Sequence, residues 1–149
     1  MITNEEYSGL GMPAPTQTHQ RIIQAIRDNF VKRYPRYAAN MLVTVAVIDN
    51  PERVPDLSLW RYVDKNDLFA DASEPILTIE ITHNDINDKY SEESILETFK
   101  YIPTLQESFI FNYADNRWKR FSRQGDNHIV IEEKDYSRTL QCFMHSLVK

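Results

Sequence analysis

At 149 residues, with 42% hydrophobic and 26% charged side chains, the chain has the size and balance of one globular domain. Its formal net charge of -5 argues against an obligate nucleic-acid binder, because phosphate affinity is mostly electrostatic, and leaves only local basic patches for that role. Cys142 is the only cysteine, which excludes an intrachain disulfide and a cysteine-built zinc cluster.

The opening MITNEEYSGL has neither a basic start nor an apolar run, and no stretch approaches the roughly 20 apolar residues of a membrane helix. The expected compartment is the cytoplasm, with no membrane partner. Residues 1–17, with GMPAPTQ, read as an irregular arm on one domain spanning 1–149.

Thr18 is a candidate N-cap for a helix from His19 to Tyr34, with Ile22, Ile23, Ile26, Phe30 and Val31 as its apolar face. Arg21, Arg27 and Lys32 fall mostly outside that stripe, and Pro35 helps end it. Met41 to Ile48, a β-branched apolar run, predicts a strand buried on both faces. After a turn at Asn50-Pro51, Val54 to Tyr62 predicts a second strand antiparallel to the first. Asp64 to Glu74 reads as a loop. Ile76 to His83 predicts a third strand, with Ile76, Thr78, Glu80 and Thr82 on one face. Ser91 is the expected cap of a second helix ending at Pro103. Phe109 to Tyr113 reads as a strand, and Trp118 to Phe121 pairs back on it through the turn ADNR. His128 to Ile131 adds a short strand, and Leu140, Phe143, Met144 and Leu147 recur at helical spacing. The helix between the third and fourth strands favours a parallel crossover.

Two acids stand out. Glu80 is the single acid in a strand-forming run, and Asp56 opens the preceding strand directly after Pro55. Adjacent strands can bring the two carboxylates together, with the carbonyl of Ile81 as a third oxygen. Hard divalent cations prefer such ligands, and magnesium or manganese held there could activate water against a phosphodiester. Asp56 alone would read as a turn residue, and Glu80 alone as a solvent-facing one.

Pro55-Asp56 followed by Glu80-Ile81-Thr82 resembles the PD-(D/E)XK nuclease pattern on its helix-strand-strand-strand-helix-strand core. More narrowly, the chain resembles the Uma-two family of predicted restriction endonucleases. The similar features are Glu5-Glu6-Tyr7, the helix-opening His19, Pro55-Asp56-Leu57-Ser58-Leu59, Pro75-Ile76-Leu77-Thr78-Ile79-Glu80-Ile81-Thr82, and Glu107-Ser108-Phe109-Ile110-Phe111-Asn112. The resemblance implies an α/β restriction-endonuclease-like mixed sheet, extended by a hairpin and a C-terminal helix. It implies a magnesium- or manganese-dependent endonuclease acting on DNA, with Asp56, Glu80 and Ile81 at the metal. Thr82 stands where the pattern has its lysine. Lys89 and Lys100 are the available substitutes, and Lys89 is the candidate for orienting water or stabilising charge. The alternative is a catalytically silent relative serving as a binding or assembly module. A second copy of the chain is a further candidate partner.

Other residues have plainer readings. His19 at a helix start is most simply satisfied by backbone or solvent, although a contact beside the metal water is the functional alternative. His83, ending the third strand, is a second-shell candidate. Basic residues on the first helix most often mean a solvated face. Arg117, Lys119, Arg120 and Arg123, interleaved with Trp118 and Phe121, could grip phosphates and stack a base, but a two-faced hairpin gives the same pattern. With only Gly9, Gly11 and Gly125, no glycine-rich phosphate loop is available.

Overall fold

Strand-forming runs on either side of one helical segment dictate a sheet with a crossover, and the computed structural model shows one. It describes residues 16–35, 41–44, 55–62, 66, 72–125 and 128–149. Strands β1 (Met41–Thr44), β2 (Leu57–Tyr62), β3 (Ala72–Thr82), β4 (Glu107–Asn112), β5 (Arg117–Arg123) and β6 (Ile129–Glu132) form one six-stranded sheet in chain order. All neighbours are antiparallel except β3 and β4, which the crossover helix α2 (Asp85–Tyr101) makes parallel. The expected mixed α/β architecture is therefore present. The segment 45–54, which holds the end of the expected first strand and the Asn50-Pro51 turn, lies outside the described residues. So do residues 1–15, with Glu5-Glu6-Tyr7.

The two faces of the sheet are covered differently. Helix α1 (Gln17–Arg33) lays Ile23, Ile26 and Phe30 on Leu57, Leu59, Leu77, Ile79, Ile81, Phe109 and Phe111. Ile22 joins this core at its edge, whereas Val31 is exposed. Thr16, not Thr18, caps α1: its hydroxyl accepts the His19 N–H at 3.1 Å. The helix thus starts two residues earlier than expected.

On the opposite face, α2 buries Ile95 and Phe99 with Leu105, Ile110 and Phe121. Its first half buries Asn87 and Ser91 instead, above the polar stretch of the sheet. Ser91 is not the cap. Asn84 is, its side chain accepting the Asn87 N–H at 2.7 Å, with Asp85 and Asp88 in the first turn near the positive helix end. Ile102, just before Pro103, closes the helix as expected.

The C-terminal segment corrects the sequence reading. The periodic run from Leu140 to Leu147 is not one α-helix. Strands β7 (Tyr136–Ser137) and β8 (Cys142–Phe143) form a small hairpin, followed by a 3₁₀-helix (Met144–Val148). Gln141 has φ 55° and breaks the helical path. Leu140, Met144 and Leu147 are buried, but Phe143 is 60% exposed, so the apparent period joined residues that do not share a face. Buried Glu107 anchors this segment. Its Oε1 accepts from Ser137 Oγ at 2.7 Å and Thr139 N–H at 2.9 Å, and its Oε2 accepts from Arg138 N–H at 3.0 Å. Among the described residues no helix is long and apolar enough to cross a membrane.

Candidate metal centre

The β2–β3 ladder begins at Leu57↔Ile79, so the next residues outward on that register are Asp56 and Glu80. Beyond the last pair, the Ile81 N–H needs a new acceptor. It finds Asp56 Oδ2 at 2.7 Å. The carboxylate thereby takes over from the backbone and is fixed at the sheet end. Pro55, buried beside it, restricts the approach of the chain.

Glu80 shares its face of β3 with Thr78 and Thr82 and is only 6% exposed. Burial, and secondly the negative charge of Asp56, hold its carboxyl well above the ordinary carboxylate range; a hydrogen-bonding contact with Asp56 acts in the same direction. The two acids expected to converge are therefore neighbours at this end of the sheet, close enough for the charge of one to disfavour that of the other. Two anions forced together in a poorly solvated place are costly unless a proton or a cation lies between them.

The N-terminal turn of α1 completes the cluster. His19 Nε2 lies 2.9 Å from Asp56 Oδ1, with 13% of the side chain exposed. The contact has the distance of an ion pair but not the alignment of a hydrogen bond, and Nε2 has no hydrogen-bond partner among the described residues. The sequence favoured a solvated His19; the structure makes it a wall of the acidic site. Thr16, which caps this turn, lies 3.5 Å through its hydroxyl from that of Tyr113, and the Tyr113 ring stacks on His83 at 5.8 Å. His83 therefore lines the same end of the sheet without an observed bond to either acid.

The Thr82 hydroxyl donates to Asp88 of α2. Asp88 also accepts from Asn112 Nδ2 at 3.0 Å, tying β3, β4 and α2 together next to Glu80. Sequence reasoning passed over Asp88. Its signal was an acid one helical turn after the Asn84 cap.

Lys89, the expected substitute for the lysine, makes no bond to Asp56 or Glu80 among the described residues. It is exposed, in a groove with Ile86, Tyr90 and Glu93, roughly opposite the buried line of Asn87, Ser91 and Ile95 around the helix. Lys100 is equally remote in character, exposed and 3.4 Å from Glu97. The basic hairpin residues also separate. Arg120 is buried and bonds Tyr136 O and Glu132. Arg123 caps the end of α2 through the carbonyls of Phe99 and Ile102. Trp118 and Phe121 are core. Stacking of a base on this hairpin is thus excluded for the two buried rings.

Among the described residues no three His, Cys, Asp or Glu side chains close into a complete metal cage. Two carboxylates with a backbone oxygen and waters suit magnesium better than such a cage would, since that ion retains much of its water.

With this geometry in hand, comparison with known proteins adds the fold. A crystal structure from Anabaena variabilis ATCC 29413, named a "putative nuclease belonging to DUF820", superposes with a TM-score of 0.63. The alignment covers 99% of this chain and 98% of that one, at 15% sequence identity. This chain shares that protein's fold. No family model matches the sequence, and no curated protein does either.

Proposed function

We propose that the protein is a metal-dependent nuclease acting on the phosphodiester bonds of DNA, with Asp56 and Glu80 holding magnesium or manganese. The observation that carries this reading is the placement of Asp56, fixed by the Ile81 N–H, beside the next residue inward, the buried Glu80. The donor set fits a hard cation: two neighbouring carboxylates, with His19 Nε2 at their edge 2.9 Å from Asp56. In an extended strand the N–H and carbonyl of one residue point the same way, so the Ile81 carbonyl faces the Asp56 side and would be the third protein oxygen for a cation. When bound, such an ion polarises a phosphodiester and lowers the pKa of a coordinated water.

The residues have separate tasks. Asp56 is held in place by the Ile81 N–H and approached by His19. Glu80 supplies charge from a dry pocket, where the attraction to a cation is strongest. The Thr82–Asp88–Asn112 chain fixes the start of α2 above them. The fold shared with the Anabaena protein supports the nuclease class.

A second reading has its own observation. Thr82 stands where the resemblance has its lysine and donates to Asp88, while Lys89 is exposed in a groove with Ile86, Tyr90 and Glu93. A metal-binding but catalytically silent module fits this arrangement. Cleavage assays on single- and double-stranded DNA, with magnesium or manganese titrated and Glu80→Gln as control, decide between them. Metal-dependent cleavage lost in Glu80→Gln supports the nuclease. Metal binding without cleavage supports the module, and cleavage unchanged in Glu80→Gln contradicts both.

A further inference from the structure

On the α2 face of the sheet, polar side chains lie in register rows. Thr82 is beside Asn112 and Arg117, Glu80 beside Ile110 and Lys119, and Thr78 beside Ser108 and Phe121. The first and third rows are closed. Asp88 of α2 takes the Thr82 hydroxyl and the Asn112 amide. The buried Thr78 and Ser108 hydroxyls bond each other at 2.5 Å. The middle row is different. Ile110 is apolar and Lys119 is drawn 3.5 Å from Glu92, so neither serves the buried Glu80.

Helix α2 packs on β3 and β4 and runs against them, because it returns the chain to begin a parallel strand. Asp88 marks the level of the Thr82 row, and Glu92, about one turn on, reaches Lys119 in the Glu80 row. Ser91 is the neighbour of Glu92, about 100° round the helix, and so stands at the level of Glu80. Glu92 leans towards β5 and is partly exposed, whereas Ser91 is fully buried. It shares its side of the helix with Ile95, which packs on Ile110. The Ser91 Oγ has no hydrogen-bond partner among the described residues. A buried hydroxyl without a partner is unfavourable, and an oxygen bridging it to the Glu80 row would satisfy it.

We propose that the Ser91 hydroxyl holds one of the waters retained by a cation at Asp56–Glu80, which makes Ser91 a positioning residue of that site. A small hard cation bound by one or two carboxylates keeps several waters. A water on the α2 side of Glu80 needs an acceptor for its hydrogen, and the Ser91 Oγ is an oxygen there with no competing bond. The inference rests on the metal site of the proposed function, but not on cleavage of DNA. It also separates metal binding from folding. Without the cation the hydroxyl has no partner to lose, so its removal leaves stability intact; with the cation its removal weakens binding.

The test is calorimetric titration of manganese into the full chain, Ser91→Ala and Thr98→Val, with urea unfolding of each in a chelator. Thr98 lies two turns further along α2, and its hydroxyl donates to the Ser94 carbonyl at 2.8 Å. It controls for the loss of a buried hydroxyl from the same helix. Ser91→Ala is expected to bind manganese about tenfold more weakly and to unfold at the native urea midpoint or above. Thr98→Val is expected to keep the native affinity. A crystal structure of the full chain with manganese should show a metal-bound water within about 3 Å of the Ser91 Oγ. Native affinity in Ser91→Ala, equal losses in the two variants, or no manganese binding by the unaltered protein would overturn the inference. So would unfolding of Ser91→Ala, which would make the hydroxyl structural. Ser91-dependent manganese binding without cleavage of DNA would instead count against the nuclease reading alone. Cleavage lost in Glu80→Gln, with native manganese affinity in Ser91→Ala, would do the reverse.

Discussion

In the proposed site, the chemistry asked of Glu80 opposes the stability of the protein without a metal. A buried carboxylate beside a second one destabilises the fold, and an isosteric amide removes that repulsion while keeping the shape. In the presence of a chelator at neutral pH, Glu80→Gln is expected to raise the melting temperature, by about 2–4 °C for each kcal/mol gained in a chain of this size. A lower melting temperature in the variant would mean that the native carboxylate is already compensated. The nearness of Asp56 and Glu80 was legible because they lie on consecutive strands joined by one loop. His19 was not, because its contact depends on how α1 crosses the sheet, and no local pattern encodes that. Lys89 was misplaced for a related reason. Its helix begins at Asp85, six residues before the expected cap, so its helical phase was not available from the reading.

At the level of elements, α2 shows what a helix start requires. Ser91 looked like a cap because acids follow it, yet its hydroxyl is buried within the helix with no hydrogen-bond partner among the described residues. Asn84 makes the capping bond. Asn84→Ala is therefore expected to cost about 1 kcal/mol in urea unfolding. Ser91→Ala is expected to be neutral or stabilising, since it removes a hydroxyl that lacks a partner and introduces a better helix former. The reverse order of the two effects would return the cap to Ser91. The strand pairing was read correctly where apolar residues alternate or where β-branched runs are bounded by turns. It failed at the C-terminus, where buried Leu140, Met144 and Leu147 mimic a helical period while belonging to a turn and a 3₁₀-helix.

At the scale of the whole molecule, the C-terminal segment is held by buried Leu140, Cys142, Met144 and Leu147 in the main core and by polar contacts to the sheet. Glu107 satisfies two backbone amides and a hydroxyl from 137–139. Glu107→Ala strands all three and is expected to destabilise the protein by about 2 kcal/mol or more in urea melts. A change within ~0.5 kcal/mol would show that water replaces the carboxylate freely. Beneath the same segment, burial pushes the Cys142 thiol from its ordinary 9.0 up to about 11. The folded protein thus favours the neutral thiol. Its contribution to stability is complete below pH 9 and is lost as the pH rises from 9 towards 11, because the unfolded chain ionises first. Iodoacetamide at pH 8 is expected to label Cys142 slowly in the native protein and quickly in denaturant. Equal rates would mean that the C-terminal hairpin opens readily.

The most direct measurement of the central claim is calorimetric titration of manganese into the unaltered protein and into Glu80→Gln. Saturable binding at millimolar manganese or below is expected in the former, and none in the latter. Equal binding in both proteins would place the metal elsewhere. No binding in the unaltered protein would leave Asp56 and Glu80 a buried acidic pair with no cation to hold.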